Sequence, residues 1–270
     1  MRVSVVRHRD RRRRARWRRV WWGGGEVLVT VGAVLMLLVA HQMWWTNWQA
    51  RGSAEREVRA LERTWRDWED RGDREDRGDR EDGTRADSRG SEGSGDSVGE
   101  PSGDGGGEAP QPPPTTPSPS QAYAILGIPR LGLRVPVAEG IGKADVLNKG
   151  YVGHYPGTGQ PGRAGNFALA GHRNTHGEPF RHLDRLRRGD AITVETADAR
   201  YTYVVGRTLP RTSARDVGVI RDVPRSAVRP GAGYREPGYY ITLTTCTPVY
   251  TSRYRLVVWG TLAAMAPRAR

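Results

Sequence analysis

Residues 121–264 predict an all-β domain, closed or nearly closed as a barrel. Short β-rich runs recur between Gly, Pro, Asn and Asp turns, at Ala122–Leu126, Val135–Val137, Asn166–Ala170, Ala191–Thr196, Tyr201–Val205, Tyr239–Thr245 and Tyr254–Leu262. Ile192/Val194 and Tyr201/Tyr203/Val205 alternate as half-buried strands do. A stretch of about 140 residues carrying seven or eight short strands suits one barrel, because closure removes the unpaired edges. Residues 143–149 and 180–186 have the composition for a short helix each.

The rest of the chain divides by composition. Residues 1–19 hold ten Arg and one Asp. Val27 to Ala40 is apolar apart from Thr30 and Gly32, and Trp22 and Trp44 lie 22 residues apart. That spacing is roughly 33 Å of helix, enough to cross a hydrocarbon core of about 30 Å with tryptophans at each face. No small-residue cleavage site follows the run in His41-Gln-Met-Trp-Trp45, so residues 20–45 read as an uncleaved transmembrane helix and not a signal peptide. The Arg-rich tail, 1–19, is then cytoplasmic and everything beyond the span extracellular.

Residues 46–120 read as a disordered linker. Val58, Leu61, Trp65 and Trp68 form a helical stripe too short for a secure coiled coil, which suggests a frayed helix near the membrane. Two Asp-Arg-Gly-Asp-Arg-Glu copies over 70–81 are low-complexity sequence, and 83–120 is Gly/Ser/Asp-rich, then Pro-rich. Such compositions cannot repay the entropy of ordering. On this reading the segment is a tether with a span of roughly 45–50 Å, dispensable for chemistry. Residues 265–270 read as a C-terminal tail.

Charge and cysteine count exclude several functions. The formal charge of +13 comes almost wholly from arginine, since Lys143 and Lys149 are the only lysines. No zinc finger, RNP motif or basic-region heptad accompanies it, so nucleic acid is not expected. The single cysteine, Cys246, rules out an internal disulfide and a Cys-based zinc site. Gly157-Thr-Gly-Gln-Pro-Gly162 satisfies a dinucleotide pattern, but Pro161 interrupts any helix start and the stretch reads as a turn. His172 and His176 have zinc-ligand spacing with His182 nearby, but Arg173 stands where a metalloprotease needs glutamate. His154 reads as a hydrogen-bonded loop histidine.

Chemistry is expected where strands end. Tyr239 to Thr245 leads into Cys246, a Thr247-Pro248 stop follows, and Tyr254-Arg255 opens the next strand. Antiparallel pairing would return Arg255 close to Cys246, and a guanidinium beside a thiol favours thiolate. Phe167-Ala-Leu-Ala-Gly-His172 is a second strand ending in a proton-transfer residue. Cys and His at one rim make a nucleophile–base pair. A free cysteine is more often a small buried hydrophobe, but a lone extracellular thiol is unusual without a use.

Ala170-Gly-His-Arg173, Thr242-Leu-Thr-Thr-Cys246 and Arg255 nine residues later resemble the signatures of sortases. Val152-Gly-His-Tyr-Pro-Gly-Thr158, Gly171-His-Arg-Asn-Thr175, Cys246-Thr-Pro248 and Tyr254-Arg-Leu-Val-Val-Trp259 resemble the class E group. The resemblance implies an eight-stranded sortase-type barrel and a cysteine transpeptidase that cuts a C-terminal sorting signal between Thr and Gly. Cys246 would form the thioester, His172 would move the proton and Arg255 would bind the carbonyl and oxyanion, with Thr245 assisting through its hydroxyl. Leu-Ala-x-Thr-Gly is the implied signal, exported proteins bearing it the clients, and a peptidoglycan-precursor amine the acceptor. No metal or other cofactor is implied, and the ten scattered acids of 121–270 offer no calcium loop. A pilin-polymerising sortase, a sorting-signal peptidase and a non-enzymatic wall-binding module are the alternatives.

Overall fold

The computed structural model describes residues 8–85 and 117–268. Eight strands form the predicted closed barrel: β1 (Ala122–Ile128), β2 (Leu133–Glu139), β3 (Val152–His154), β4 (Gly165–Ala170), β5 (Ala191–Glu195), β6 (Ala199–Ser213), β7 (Tyr239–Thr247) and β8 (Tyr254–Pro267). Their order around the barrel is β1-β2-β3-β4-β7-β8-β6-β5, with β5 closing onto β1. The β2–β3 and β4–β7 pairs are parallel and the others antiparallel. A parallel pair needs a long crossover. The connection from β4 to β7 therefore carries β5, β6 and the 214–238 loop.

Period-two alternation fills the interior. On β4, Phe167 and Leu169 join the core; on β7, Ile241 and Leu243 do; on β8, Leu256 and Val258 do. The intervening residues face the outside. There Leu209, Val257 and Trp259 form a second cluster with Val219 of the 214–238 loop, which covers that face. Asp216 anchors the loop. Its buried carboxylate accepts the hydroxyls of Thr212 and Ser226 and the Ala227 N–H at 2.8 Å.

Several elements differ from the sequence reading. β3 has three residues, too few to show alternation, and is not among the expected strands. His154 sits on it, 1% exposed, with Nδ1 2.7 Å from Glu139 and 3.0 Å from the Tyr123 hydroxyl. It is hydrogen-bonded as expected, but within a strand. The two proposed helices shrink to 3-10 turns at Leu147–Lys149 and Leu183–Arg185. β8 runs to Pro267 and so takes in half of the expected tail at 265–270.

The larger correction concerns the linker. Helix α1 runs His8–Arg85 without a break, through an apolar stretch long enough to cross a membrane and on through residues 46–85. Ala50, Ala54, Val58 and Trp65 are buried on the barrel, Val58 and Trp65 clustering with Ile125 of β1. Arg134 of β2 pairs with Glu62, the Tyr151 hydroxyl meets Glu57 at 3.3 Å, and the Arg268 guanidinium stacks 4.7 Å from Trp65. The stripe was visible in the sequence, but its partner is the outside of the barrel, which no local pattern encodes. Trp68 lies beyond the contact and is exposed. Of the proposed linker, 86–116 lies outside the described residues, as does 1–7 of the tail.

Candidate active site

Register brings the three sequence-selected residues to one rim. Cys246 on β7 lies directly opposite Arg255 on β8. Opposed residues of an antiparallel pair project to the same face, with their Cα atoms about 4.5–5.5 Å apart. On the other flank β4 runs parallel to β7, pairing Ala170 with Thr244. His172 and Cys246 each lie two residues beyond that pair; the β4 chain has left the sheet there, while Cys246 is still held by β8. The Gly171 N–H, between them, donates to the Thr244 carbonyl at 3.1 Å.

The floor beside them is made of small side chains on the outward face. Ala168, Ala170, Thr242 and Thr244 are all at most 9% exposed. The Thr244 hydroxyl donates to the Leu169 carbonyl and receives the Tyr155 hydroxyl, each at 3.1 Å. Thr242 donates to Asn166 at 2.8 Å, while the buried Asn166 Nδ2 has no partner among the described residues.

Cys246 is a free thiol of intermediate exposure. Arg255 Nη1 donates to the Ser252 and Tyr254 carbonyls at 2.9 and 3.1 Å, which fixes the guanidinium. Its other N–H groups have no partner among the described residues. Arg253, two residues earlier, lies over the Tyr254 ring at 5.2 Å instead.

His172 Nε2 donates to Asn148 Oδ1 at 2.9 Å. In the neutral ring this leaves Nδ1 as the basic nitrogen. Burial, then the nearby His176 and Lys143, push the His172 pKa down to about 4. The imidazole is therefore neutral at pH 7. His176 stacks on it at 5.4 Å between centroids, and His182 is exposed.

Thr245 bonds within the protein. Its hydroxyl is buried and donates to the Gly171 carbonyl at 2.8 Å. A hydroxyl has one proton, and this one ties the Cys246 strand to the His172 segment.

Two residues were not selected from the sequence. Asn148 orients His172 but lies in a turn 24 residues away, with no signal to mark it. Arg173 is 6% exposed; it pairs with Asp184 at 3.1 Å and donates to the Cys246 carbonyl at 3.4 Å and to Thr247 Oγ1 at 3.0 Å. Its place beside His172 was the available clue.

Fold and site together define a class: β-barrel proteins that present a strand-end cysteine between a histidine and an arginine. Comparison with known proteins gives the family. The chain matches the Sortase domain family over residues 126–263 and belongs to the sortase family. It is 33% identical over 244 residues to sortase SrtE2 of Streptomyces coelicolor, covering 87% of this chain and 79% of that one. It is 38% identical over 249 residues to sortase SrtE1 of the same organism, covering 90% of this chain but spanning only 57% of that relative's length. Among solved structures, sortase E1 of S. coelicolor with a tripeptide in its active site aligns at a TM-score of 0.53 and 48% identity, covering 57% of this chain and 95% of that one. The SrtF sortase of Corynebacterium diphtheriae aligns at 0.51 and 30% identity, covering 57% and 90%. These likenesses place the chain with the class E sortases.

Proposed function

We propose that this chain is a membrane-anchored transpeptidase. It cuts a C-terminal sorting signal of the Leu-Ala-x-Thr-Gly type between Thr and Gly and transfers the protein to a peptidoglycan-precursor amine. The observation that carries the proposal is the register that sets Cys246 against Arg255 and aligns it with His172. The apolar part of α1 is the anchor, with the Arg-rich N-terminus cytoplasmic and the barrel extracellular under the positive-inside rule.

In the first half-reaction the Cys246 thiol passes its proton to His172 Nδ1 as sulfur attacks the Thr carbonyl carbon. Arg255 donates to the oxygen as negative charge develops, a role its unpartnered N–H groups suit. The carbonyl re-forms, the C–N bond breaks, and the Gly amine leaves with the proton held by His172. A thioester remains on Cys246. In the second half-reaction an acceptor amine attacks that carbon and gives its proton to His172. The C–S bond breaks and the thiol is restored. Because His172 is neutral at rest, the proton it delivers is the one it takes from Cys246.

The test is amine-dependent transfer. Incubated with a Leu-Ala-x-Thr-Gly peptide and an oligoglycine or diaminopimelate-type amine, the protein should form the new amide and release the Gly-containing fragment. Release of that fragment at a rate and yield untouched by any amine would replace the transferase reading with a peptidase.

A further inference from the structure

Helix α1 does more than attach the barrel, because it docks on both segments that hold His172. Ala50 packs against Gly150, where an added Cβ would come within 2.6 Å of the Ala50 carbonyl oxygen; Gly150 closes the turn carrying Asn148. On the other side, Asn47 is bonded twice to the turn that follows His172. Its Nδ2 donates to Glu178 Oε1 at 3.1 Å, and its Oδ1 accepts the Gly177 N–H at 3.2 Å. Arg51 Nε donates to the Gly177 carbonyl at 3.2 Å, and its Nη2 lies 3.7 Å from Glu178 Oε2.

That turn cannot hold its shape alone. His176, Gly177 and Glu178 are three consecutive residues with φ of 53°, 82° and 54°, and two of them are not glycine. Such backbone persists only where surrounding contacts impose it. Contacts also continue across the mouth of the site. Glu178 pairs with Arg181 at 2.9 Å, and Arg181 Nη2 donates to the Tyr250 hydroxyl at 3.1 Å, on the loop between Cys246 and Arg255.

We propose that the Asn47–Arg51 face of α1 is a positioning surface for His172, so that the membrane-anchoring helix is part of the active-site support. This rests on His172 being the proton-transfer residue. Asn47 and Arg51 act through the 176–178 turn and Asn148, touching neither substrate nor Cys246.

The test uses the full chain in lipid nanodiscs and compares wild type with Asn47→Ala/Arg51→Ala. Freed from the helix, the turn relaxes and water reaches His172, weakening the burial that, with His176 and Lys143, holds its pKa low. The double variant should lose roughly tenfold in kcat/KM, carried by kcat, as a catalytic group loses its alignment. The acid limb of its pH profile should move up by about one unit. Glu62→Gln disturbs the same helix where it meets Arg134 on β2, away from the His172 turn, and should leave activity within about twofold. Activity of the double variant within about twofold of wild type would overturn the proposal. So would a loss with an unmoved pH profile, which marks destabilisation only, or an equal loss in Glu62→Gln. His172→Ala is measured alongside: if it keeps turnover, the role given to His172 has failed, a separate result.

Discussion

Cys246 and Arg255 are direct cross-strand partners at the rim where β7 and β8 begin to separate. Two backbone carbonyls, of Ser252 and Tyr254, hold one amino group of the guanidinium. The pair thus arrives with the thiol beside a fixed planar fork, before any substrate is bound.

Arg255→Lys keeps charge and loses that fork. A lysine can still attract a thiolate, but it cannot hold the 252–254 carbonyls and a substrate oxygen at once. We expect kcat/KM to fall on the order of a hundredfold, with Cys246 alkylation by a small electrophile changed far less. Arg253→Lys, at the arginine stacked on Tyr254, should stay within a few-fold of wild type.

His172→Ala should remove nearly all turnover, and His176→Ala much less, since the Nε2 bond to Asn148 orients only the first ring. The wild-type acid limb should lie near the lowered His172 value of about 4 and not near 6.5. The same shift has a sign for stability. Below about 6.5 the unfolded chain protonates this histidine while the folded protein does not, so stability declines as pH falls from there towards 4. Denaturant midpoints across that window check it.

The placement of His172, Cys246 and Arg255 at one rim was legible because it is written in strand ends: apolar alternation that stops at His172 and at Cys246, and a following strand that opens with Tyr254-Arg255. Antiparallel pairing of β7 with β8 required only a short connection. What the sequence hid was non-local. β3 is too short to alternate, and its pairing with β2 and β4 supplies the order that puts β4 beside β7. Val58 and Trp65 announced an apolar stripe but not the Ile125 surface it covers. Asn148 and the Asn47–Gly177 contact join segments 24 and 130 residues apart, which spacing cannot reveal.

A fragment beginning near Ser120 would leave Ile125 and the Tyr151 region uncovered. Burying Trp65 and Val58 there is worth a few kcal/mol at roughly 1.5–3 each. The fragment should therefore melt roughly 6–24 °C below a chain that retains 46–68. Thermal melts of the two in the same detergent decide this; equal midpoints would mean that the helix contact adds no stability.

Asp216→Ala should loosen the 214–238 loop. It strands the Thr212 and Ser226 hydroxyls and the Ala227 N–H, at a cost of about 1–3 kcal/mol. Because the loop covers the outward face at Thr242 and Trp259, KM for a sorting peptide should rise more than kcat falls. Steady-state kinetics separate the two.

The proposed reaction passes through a thioester on Cys246. Intact-mass spectrometry of the protein mixed with a Leu-Ala-x-Thr-Gly peptide, acid-quenched within seconds, reads it directly. The account predicts an adduct equal to the peptide's acyl portion up to Thr, mapped to Cys246, absent in Cys246→Ala and decaying faster as acceptor amine is added. Cleavage of the peptide by Cys246→Ala at a rate near wild type, or an adduct mapped to another residue, would contradict it.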